Sequence, residues 1–178
     1  MNLNEMYAYL VGARQELWPF LESLTEGSFT REMIPGDGVV LRSIQDLALH
    51  VPVVEDGWLH EDLGAGEAVW KRHPHLLPTL EAGRYDAPLS STLAYWRDVQ
   101  EGTLTYLAGL SPEDLRRAVP QDTPYGRRDF TVEGILRHVM LHEVRHVSQI
   151  TLLARQQGIK PPFLDYLRWA ESTAAPDA

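Results

Sequence analysis

Residues 135–153 read ILRHVMLHEVRHVSQITLL, and the spacing within this stretch decides the fold. At about 100° per residue in an α-helix, His142, His146 and Gln149 fall within roughly 60° of one another. Three apolar residues share that face: Ile135, Val139 and Leu153. Burying two imidazoles without partners costs on the order of 1–3 kcal/mol each, and a metal ion is the partner that best offsets this cost. The stretch therefore predicts a core helix that binds metal.

The composition is that of a soluble globular protein, with 44% hydrophobic and 23% charged residues among 178. This length suits one domain, residues 1–178, with a sizeable core. The net charge of −9 disfavours nucleic acid and anionic membranes as partners. No apolar run approaches the roughly 20 residues that cross a bilayer, and the N-terminus lacks a signal-peptide pattern. We expect a cytoplasmic protein, free of cysteine, that acts on a small molecule.

Four long stretches have apolar residues at the three- and four-residue spacing of amphipathic helices. They cover residues 4–24, 43–70, 91–110 and 131–157. The intervening residues 71–89 contain three prolines and are predicted to be one long connection. We therefore predict an all-α protein, a four-helix bundle with a long crossover between helices 2 and 3.

The ends of these helices carry recognisable signals. Ser43 and Thr131 are predicted N-caps of the second and fourth helices, because a side-chain oxygen there can accept from a free backbone N–H. Residues 121–128 are rich in turn formers and are predicted to be a loop. Residues 163–169 carry aromatic side chains that we expect to pack back onto the bundle.

A catalytic metal site of the zinc type needs three protein ligands and one open position, so a third ligand must join His142 and His146. His138 lies on the same helix, and three histidines in a line cannot close around one ion. His60, His73 and His75 are expected to be solvated. His50 is the best choice, on a neighbouring helix beside a core stripe. A carboxylate ligand, or a His50 that simply bonds a backbone carbonyl, are the alternatives.

Glu143 makes the motif His-Glu-x-x-His, which is also the signature of zinc peptidases. In that chemistry the glutamate activates water, so Glu143 is a candidate catalytic residue or ligand partner. The extended peptidase motif continues with Gly and His, where this chain has Gln149 and Leu152. The upstream chain is also helical where a substrate-aligning strand is expected. A peptidase is therefore the least favoured of the enzymatic hypotheses.

Residues 136–150, LRHVMLHEVRHVSQI, followed by TLLARQQGI, resemble the last bundle helix of the DinB/YfiT-like proteins. Residues 43–50, SIQDLALH, are similar to the second-helix ligand motif of that family. The resemblance implies a four-helix bundle in which His50, His142 and His146 hold a divalent metal ion, zinc or nickel. It also implies a relation to enzymes that use a low-molecular-weight thiol such as bacillithiol, mycothiol or glutathione.

Two functions follow from this reasoning. The first is a metal-dependent enzyme, a thiol transferase or hydrolase acting on a small molecule. Its pocket could include Glu143, Arg145 and Gln149, with Tyr7 or Tyr9 as further contributors. The second is a non-catalytic metal- or ligand-binding protein of a stress response.

A homodimer is expected for either function, on weak support from the fourth helix. That helix carries a second apolar strip, more surface than one bundle seam requires. The strip consists of Leu136, Met140, Val144 and Val147. A crossing helix or the C-terminal tail of the same chain could equally cover it.

Overall fold

The computed structural model describes residues 2–36, 40–124 and 126–173, and most of them are helical. In chain order the α-helices are α1 (Leu3–Glu22), α2 (Glu26–Phe29), α3 (Ile44–Gly57), α4 (Leu77–Glu81), α5 (Leu89–Gly109), α6 (Pro112–Arg116), α7 (Val132–Gln156) and α8 (Tyr166–Thr173). Two strands, β1 (Ala118–Thr123) and β2 (Gly126–Thr131), form a small antiparallel sheet. Among the described helices, none is both long and apolar enough to cross a membrane.

The predicted N-caps, Ser43 and Thr131, lie at the starts of the helices that carry the histidines. The Ser43 side chain accepts from the backbone N–H of Asp46, and the Asp46 carboxylate accepts in return from the backbone N–H of Ser43. Thr131 accepts from the backbone N–H of Gly134 at the start of α7. Each cap satisfies a donor that the helix itself leaves free, which fixes where α3 and α7 begin.

The four long helices, α1, α3, α5 and α7, pack against one another around the core. Helix α3 contacts α5 and α7, and α1 contacts the same two helices. The stripe predicted on α7 is buried, with Ile135, Val139 and Leu153 each less than a tenth exposed. These contacts bring the middle of α3 beside the middle of α7.

The chain between α6 and α7 is a β-hairpin, so the prediction of a loop at residues 121–128 is wrong. The protein is therefore mostly helical and not all-α, and two strands lie upstream of the His-Glu-x-x-His motif where only helix was expected. Ala118 pairs with Thr131, and the register continues to Thr123 opposite Gly126. Only Val119 among these strand residues is fully buried. Because both faces of the hairpin are largely exposed, its sequence lacks the alternation of apolar and polar residues by which strands are predicted.

The second long helix also ends earlier than predicted, at Gly57 instead of near residue 70. A π-helical turn, Trp58–Asp62, follows it. The buried Asp56 carboxylate accepts from the backbone N–H groups of Val69 and Trp70, both at 2.9 Å. These bonds fold the chain back against α3, and the predicted connection then contains two 3-10 turns and α4.

The C-terminal segment packs on α1 through its aromatic side chains, as predicted. The Tyr9 hydroxyl donates to the Leu164 carbonyl at 2.7 Å. The Tyr9 ring also makes edge contacts with Tyr166 and Trp169, at centroid distances of 5.6 and 5.8 Å. Phe163 does not join this packing and stays 63% exposed.

The contact between α8 and α1 depends on the absence of a side chain at Gly12. A Cβ at this position would lie 2.5 Å from the Cδ1 and Nε1 atoms of Trp169. We predict that Gly12→Ala displaces α8 and lowers the melting temperature, although alanine is the better helix former by about 1 kcal/mol. Gly57→Ala, at a helical glycine with no atom within 4 Å of the added Cβ, is the control. If Gly12→Ala, like Gly57→Ala, melts at or above the temperature at which the wild type melts, this packing is contradicted.

Candidate metal centre

Three histidines from α3 and α7 converge in the structure, and they are the three that the sequence predicts. One ligand nitrogen from each of His50, His142 and His146 lies within 4.8 Å of the others. The Nε2 atoms of His50 and His142 are 3.1 Å apart. Two neutral imidazoles at this distance either share one proton in a hydrogen bond or direct both lone pairs at one cation.

The spacing of His50 and His142 and the donor set of all three residues fit a metal ion. Tetrahedral coordination with zinc–nitrogen bonds of about 2.0–2.1 Å places two ligand nitrogens about 3.3 Å apart. Imidazole nitrogen suits zinc and nickel. Gln149 Oε1 lies 2.6 Å from His146 Nδ1, and because a carbonyl oxygen only accepts, that nitrogen carries the proton. The lone pair of His146 Nε2 is thereby left available for the site.

The electrostatics of the group keep its histidines neutral at pH 7. Burial, followed by the charge of His146, lowers the pKa of His50 to about 4. Burial is also the main cause that lowers the pKa of His142 to about 3, with further contributions from the neighbouring histidines and Arg145. The pKa of His146 is lowered by burial too. Neutral imidazole is the form that binds metal.

Glu143, the candidate catalytic residue, faces a buried arginine. Arg14 Nε donates to Glu143 Oε1 at 2.9 Å, and Arg14 Nη2 donates to Glu143 Oε2 at 2.5 Å. The glutamate is only 3% exposed, and burial raises its pKa against the opposing effect of Arg14. The group of ligand atoms that lie within 4.8 Å of one another, among the described residues, does not include this carboxylate. A role of Glu143 in activating water stays a prediction.

The ion pair belongs to a larger buried cluster, defined by Arg14, Glu55, Glu143, Tyr7, Gln100 and Thr103. Arg14 Nη2 also donates to Glu55 Oε2 at 2.8 Å. The hydroxyls of Tyr7 and Thr103 each donate to Glu55 Oε1 at 2.6 Å. Arg14 Nη1 donates to Tyr7 Oη at 3.0 Å and to Gln100 Oε1 at 3.2 Å. Every long helix contributes to the cluster.

The sequence reasoning missed Arg14 and Glu55, although a signal was present. Arg14 is four residues after Leu10 and three before Leu17, so it falls on the apolar stripe of α1. Glu55 follows Val51 by four residues on the stripe of α3. Charges of opposite sign at core positions of two helices indicate a buried pair, since a lone buried charge is far too costly.

The remaining histidines divide into two groups. His75 is exposed as predicted, and His138 lies outside the convergent group. The prediction that His60 and His73 are solvated is wrong. The His60 side chain is 8% exposed with Nε2 3.4 Å from a carboxylate oxygen of Asp56, and His73 Nε2 lies 2.9 Å from Asp98 Oδ2. Asp98 is distant in sequence from His73, whereas Asp56 lies one helical turn before His60. These carboxylates supply the partners that make burial possible.

The two remaining predicted site residues differ in their surroundings. Gln149 is half-buried and holds His146, which agrees with a role in orienting that ring. Arg145 is exposed on α7, with its charge contributing to the lowered pKa of His142 and His146. Only Gln149 of these two contacts the metal-ligand candidates directly.

The helices and the convergent histidines define a mostly helical protein with a possible metal site. The chain belongs to the DinB family, since the model of that family matches residues 1–178, its whole length. No curated protein matches the sequence.

Metal content tests the three-histidine centre directly. We expect wild-type protein to bind about one equivalent of zinc or nickel in equilibrium dialysis, and His50→Ala, His142→Ala and His146→Ala each to lose it. With three protein ligands, the loss of any one removes a third of the protein's donor set. His138→Ala, one turn before His142 and outside the group, is the matched control and should retain the ion. Retention of metal by His50→Ala would show that the third ligand is a different residue.

Unfolding in urea tests the buried cluster. Arg14→Met removes the cation and leaves two carboxylates in the core, so we expect the free energy of unfolding to fall by about 3–5 kcal/mol. Arg137→Met is the control, because Arg137 pairs with Glu133 on the surface of α7 and such a pair contributes about 0.5 kcal/mol or less. Similar losses for both variants would refute the importance of the buried pair.

Proposed function

We propose that this chain is a metal-dependent enzyme that acts on a small molecule, as a thiol-dependent transferase or a hydrolase. The observation that carries the proposal is the convergence of His50, His142 and His146. Three protein ligands leave a fourth position for a substrate or water, which is the arrangement of catalytic sites and differs from the closed set of four in structural sites.

Zinc or nickel is the proposed ion, because the donors are three neutral imidazoles. A bound divalent cation lowers the pKa of a coordinated thiol or water, and this is the chemistry that it would supply. The chain's own contribution is orientation. Gln149 fixes the protonated nitrogen of His146, and the packing of α3 on α7 sets the distance between His50 and His142.

The thiol is proposed to come from outside the protein. The chain has no cysteine, so it offers no internal thiolate to occupy the open position or to be oxidised. The resemblance to thiol-dependent members of the DinB/YfiT-like proteins supports bacillithiol, mycothiol or glutathione as the cofactor. A hydrolase that uses water in the same position is the second form of the proposal.

We infer that the scaffold of this site is a four-helix bundle with the crossover between α3 and α5. Each of the four long helices contacts two others, as in a closed bundle. The buried cluster around Arg14 joins all four helices at one level. This arrangement supports placing the ligands on facing helices, where bundles commonly build metal sites.

A non-catalytic metal- or ligand-binding protein is the alternative, with a homodimer proposed in either case. The apolar strip on α7 gives the dimer little support, because Leu136 and Met140 are each 1% exposed and Val144 packs against the same core. The enzyme is preferred because three ligands leave an open coordination position, which a purely structural metal does not need.

The zinc-peptidase hypothesis is disfavoured by the surroundings of Glu143. In peptidases of the His-Glu-x-x-His type, this carboxylate acts on water as the general base. Here both of its oxygens accept from the Arg14 guanidinium in the core. A glutamate engaged in this way has to give up a buried, charge-assisted pair before it can take up a proton from water.

Turnover of a thiol with an electrophile tests the proposal. Zinc- or nickel-loaded protein is mixed with bacillithiol, mycothiol or glutathione and monochlorobimane, and the fluorescent thioether is followed. We expect a rate above the uncatalysed one with at least one thiol, and its loss on chelation and in His146→Ala. His75→Ala, at an exposed histidine away from the site, should keep the rate. Metal binding without turnover of any thiol or ester substrate would favour the non-catalytic alternative.

A further inference from the structure

A cavity of about 460 Å³ lies between the β-hairpin, the π-helical turn and the first half of α7. Its volume falls within the range of small-molecule pockets. The residues that line it include Trp58, Thr123, Phe130, Gly134, Ile135 and His138. The cavity is separate from the buried cluster around Arg14, and the proposed metal chemistry does not use it.

The wall of the cavity favours a flat aromatic ligand that carries no negative charge. Trp58 presents a half-buried indole, and Phe130 leaves 43% of its surface exposed at the mouth. Apolar rings left open to water gain free energy when a ligand covers them, and aromatic ligands add edge or offset stacking. Among the described residues that line the cavity there is no lysine or arginine, and Asp122 is the one carboxylate. The protein's net charge of −9 further disfavours an anion.

His138 connects the cavity to the three-histidine group. It lines the cavity, and its ring makes an edge contact with Trp58 at a centroid distance of 5.6 Å. The His138 ring centroid is also 6.3 Å from that of His142. A ligand bound in the cavity would therefore lie one imidazole ring away from the proposed metal ligands.

The hairpin wall is tied to the rest of the protein by side-chain hydrogen bonds and by core packing. Gln121 Nε2 donates to Asp62 Oδ1, at the end of the π-helical turn, at 2.8 Å. Arg117 Nη2 donates to the Leu63 carbonyl at 3.3 Å. Val119 is buried in the core on the inner side of β1. A preformed apolar wall lowers the ordering cost of binding.

We propose that this cavity binds the uncharged aromatic part of the substrate and holds it beside the three-histidine group. The link to a substrate rests on the proposed function, whereas binding of an aromatic molecule does not. Phe130 and Trp58 are assigned to contact the ring. His138 is assigned to the end of the cavity that faces His142.

Fluorescence titration with N-phenyl-1-naphthylamine, a neutral aromatic probe, tests the proposal on the full chain. We expect saturable binding that weakens about tenfold in Phe130→Ala, which removes the ring from the mouth of the cavity. Phe130→Leu, which keeps apolar volume without a ring, should lie between the two. Phe163→Ala is the matched control, because Phe163 is equally an exposed phenylalanine but lines other pockets near the C-terminus. Circular dichroism checks that each variant is folded.

The outcomes separate this proposal from the proposed function. Equal effects of Phe130→Ala and Phe163→Ala, or binding of the sulfonated analogue 8-anilinonaphthalene-1-sulfonate as tight as that of the neutral probe, would overturn it. His142→Ala should bind the probe as the wild type does, although it is expected to lose the metal ion. If the wild type binds no metal and shows no turnover, yet binds the probe in a Phe130-dependent manner, the proposed function fails and the cavity assignment stands.

Discussion

The guanidinium of Arg14 is the interaction on which the arrangement of the long helices depends. From α1 it donates to Glu55 on α3, Gln100 on α5 and Glu143 on α7. A buried arginine requires its donors to be satisfied, since unpaired charge in the core is heavily penalised. The four helices can therefore slide or rotate little relative to one another without breaking a charge-assisted bond. The cluster sets the level and the facing of each helix at the middle of the protein.

That constraint reaches the histidines through helix geometry. Glu143 is directed at Arg14. Viewed down the axis of α7, His142 lies about 100° and His146 about 60° from Glu143, both on the same side. His142 and His146 thus lie at the edge of the core face, and Glu143 lies at its centre. This explains why Glu143 is more buried than His142, contrary to the expectation that the histidines define the interior face.

Much of this organisation can be predicted from the sequence because it depends on residues that are close together in the chain. Periodicity and the caps Ser43 and Thr131 predict the helices that carry the site, and helical spacing joins His142 to His146. What could not be predicted depends on contacts between distant residues. Asp56 accepts from the backbone N–H groups of residues 69 and 70 and so folds the chain back onto α3, after a second helix that ends earlier than its periodicity predicts. The hairpin is stabilised by the pairing of its strands and by the hydrogen bond from Gln121 to Asp62. Its sequence has no alternating apolar pattern that would predict it. The cavity beside the hairpin could not be predicted from the sequence for the same reason.

The meaning of the motif His-Glu-x-x-His is decided by a residue far outside it. The same five residues on a helix can present a glutamate to water or bury it, and the spacing is identical in both cases. In this chain Arg14, 129 residues earlier, receives the carboxylate. The two histidines keep the capacity to bind metal, because their side of the helix faces His50 and not Arg14. A motif on a helix therefore specifies which atoms share a face. The charges on the facing helices determine which of those atoms are left for chemistry.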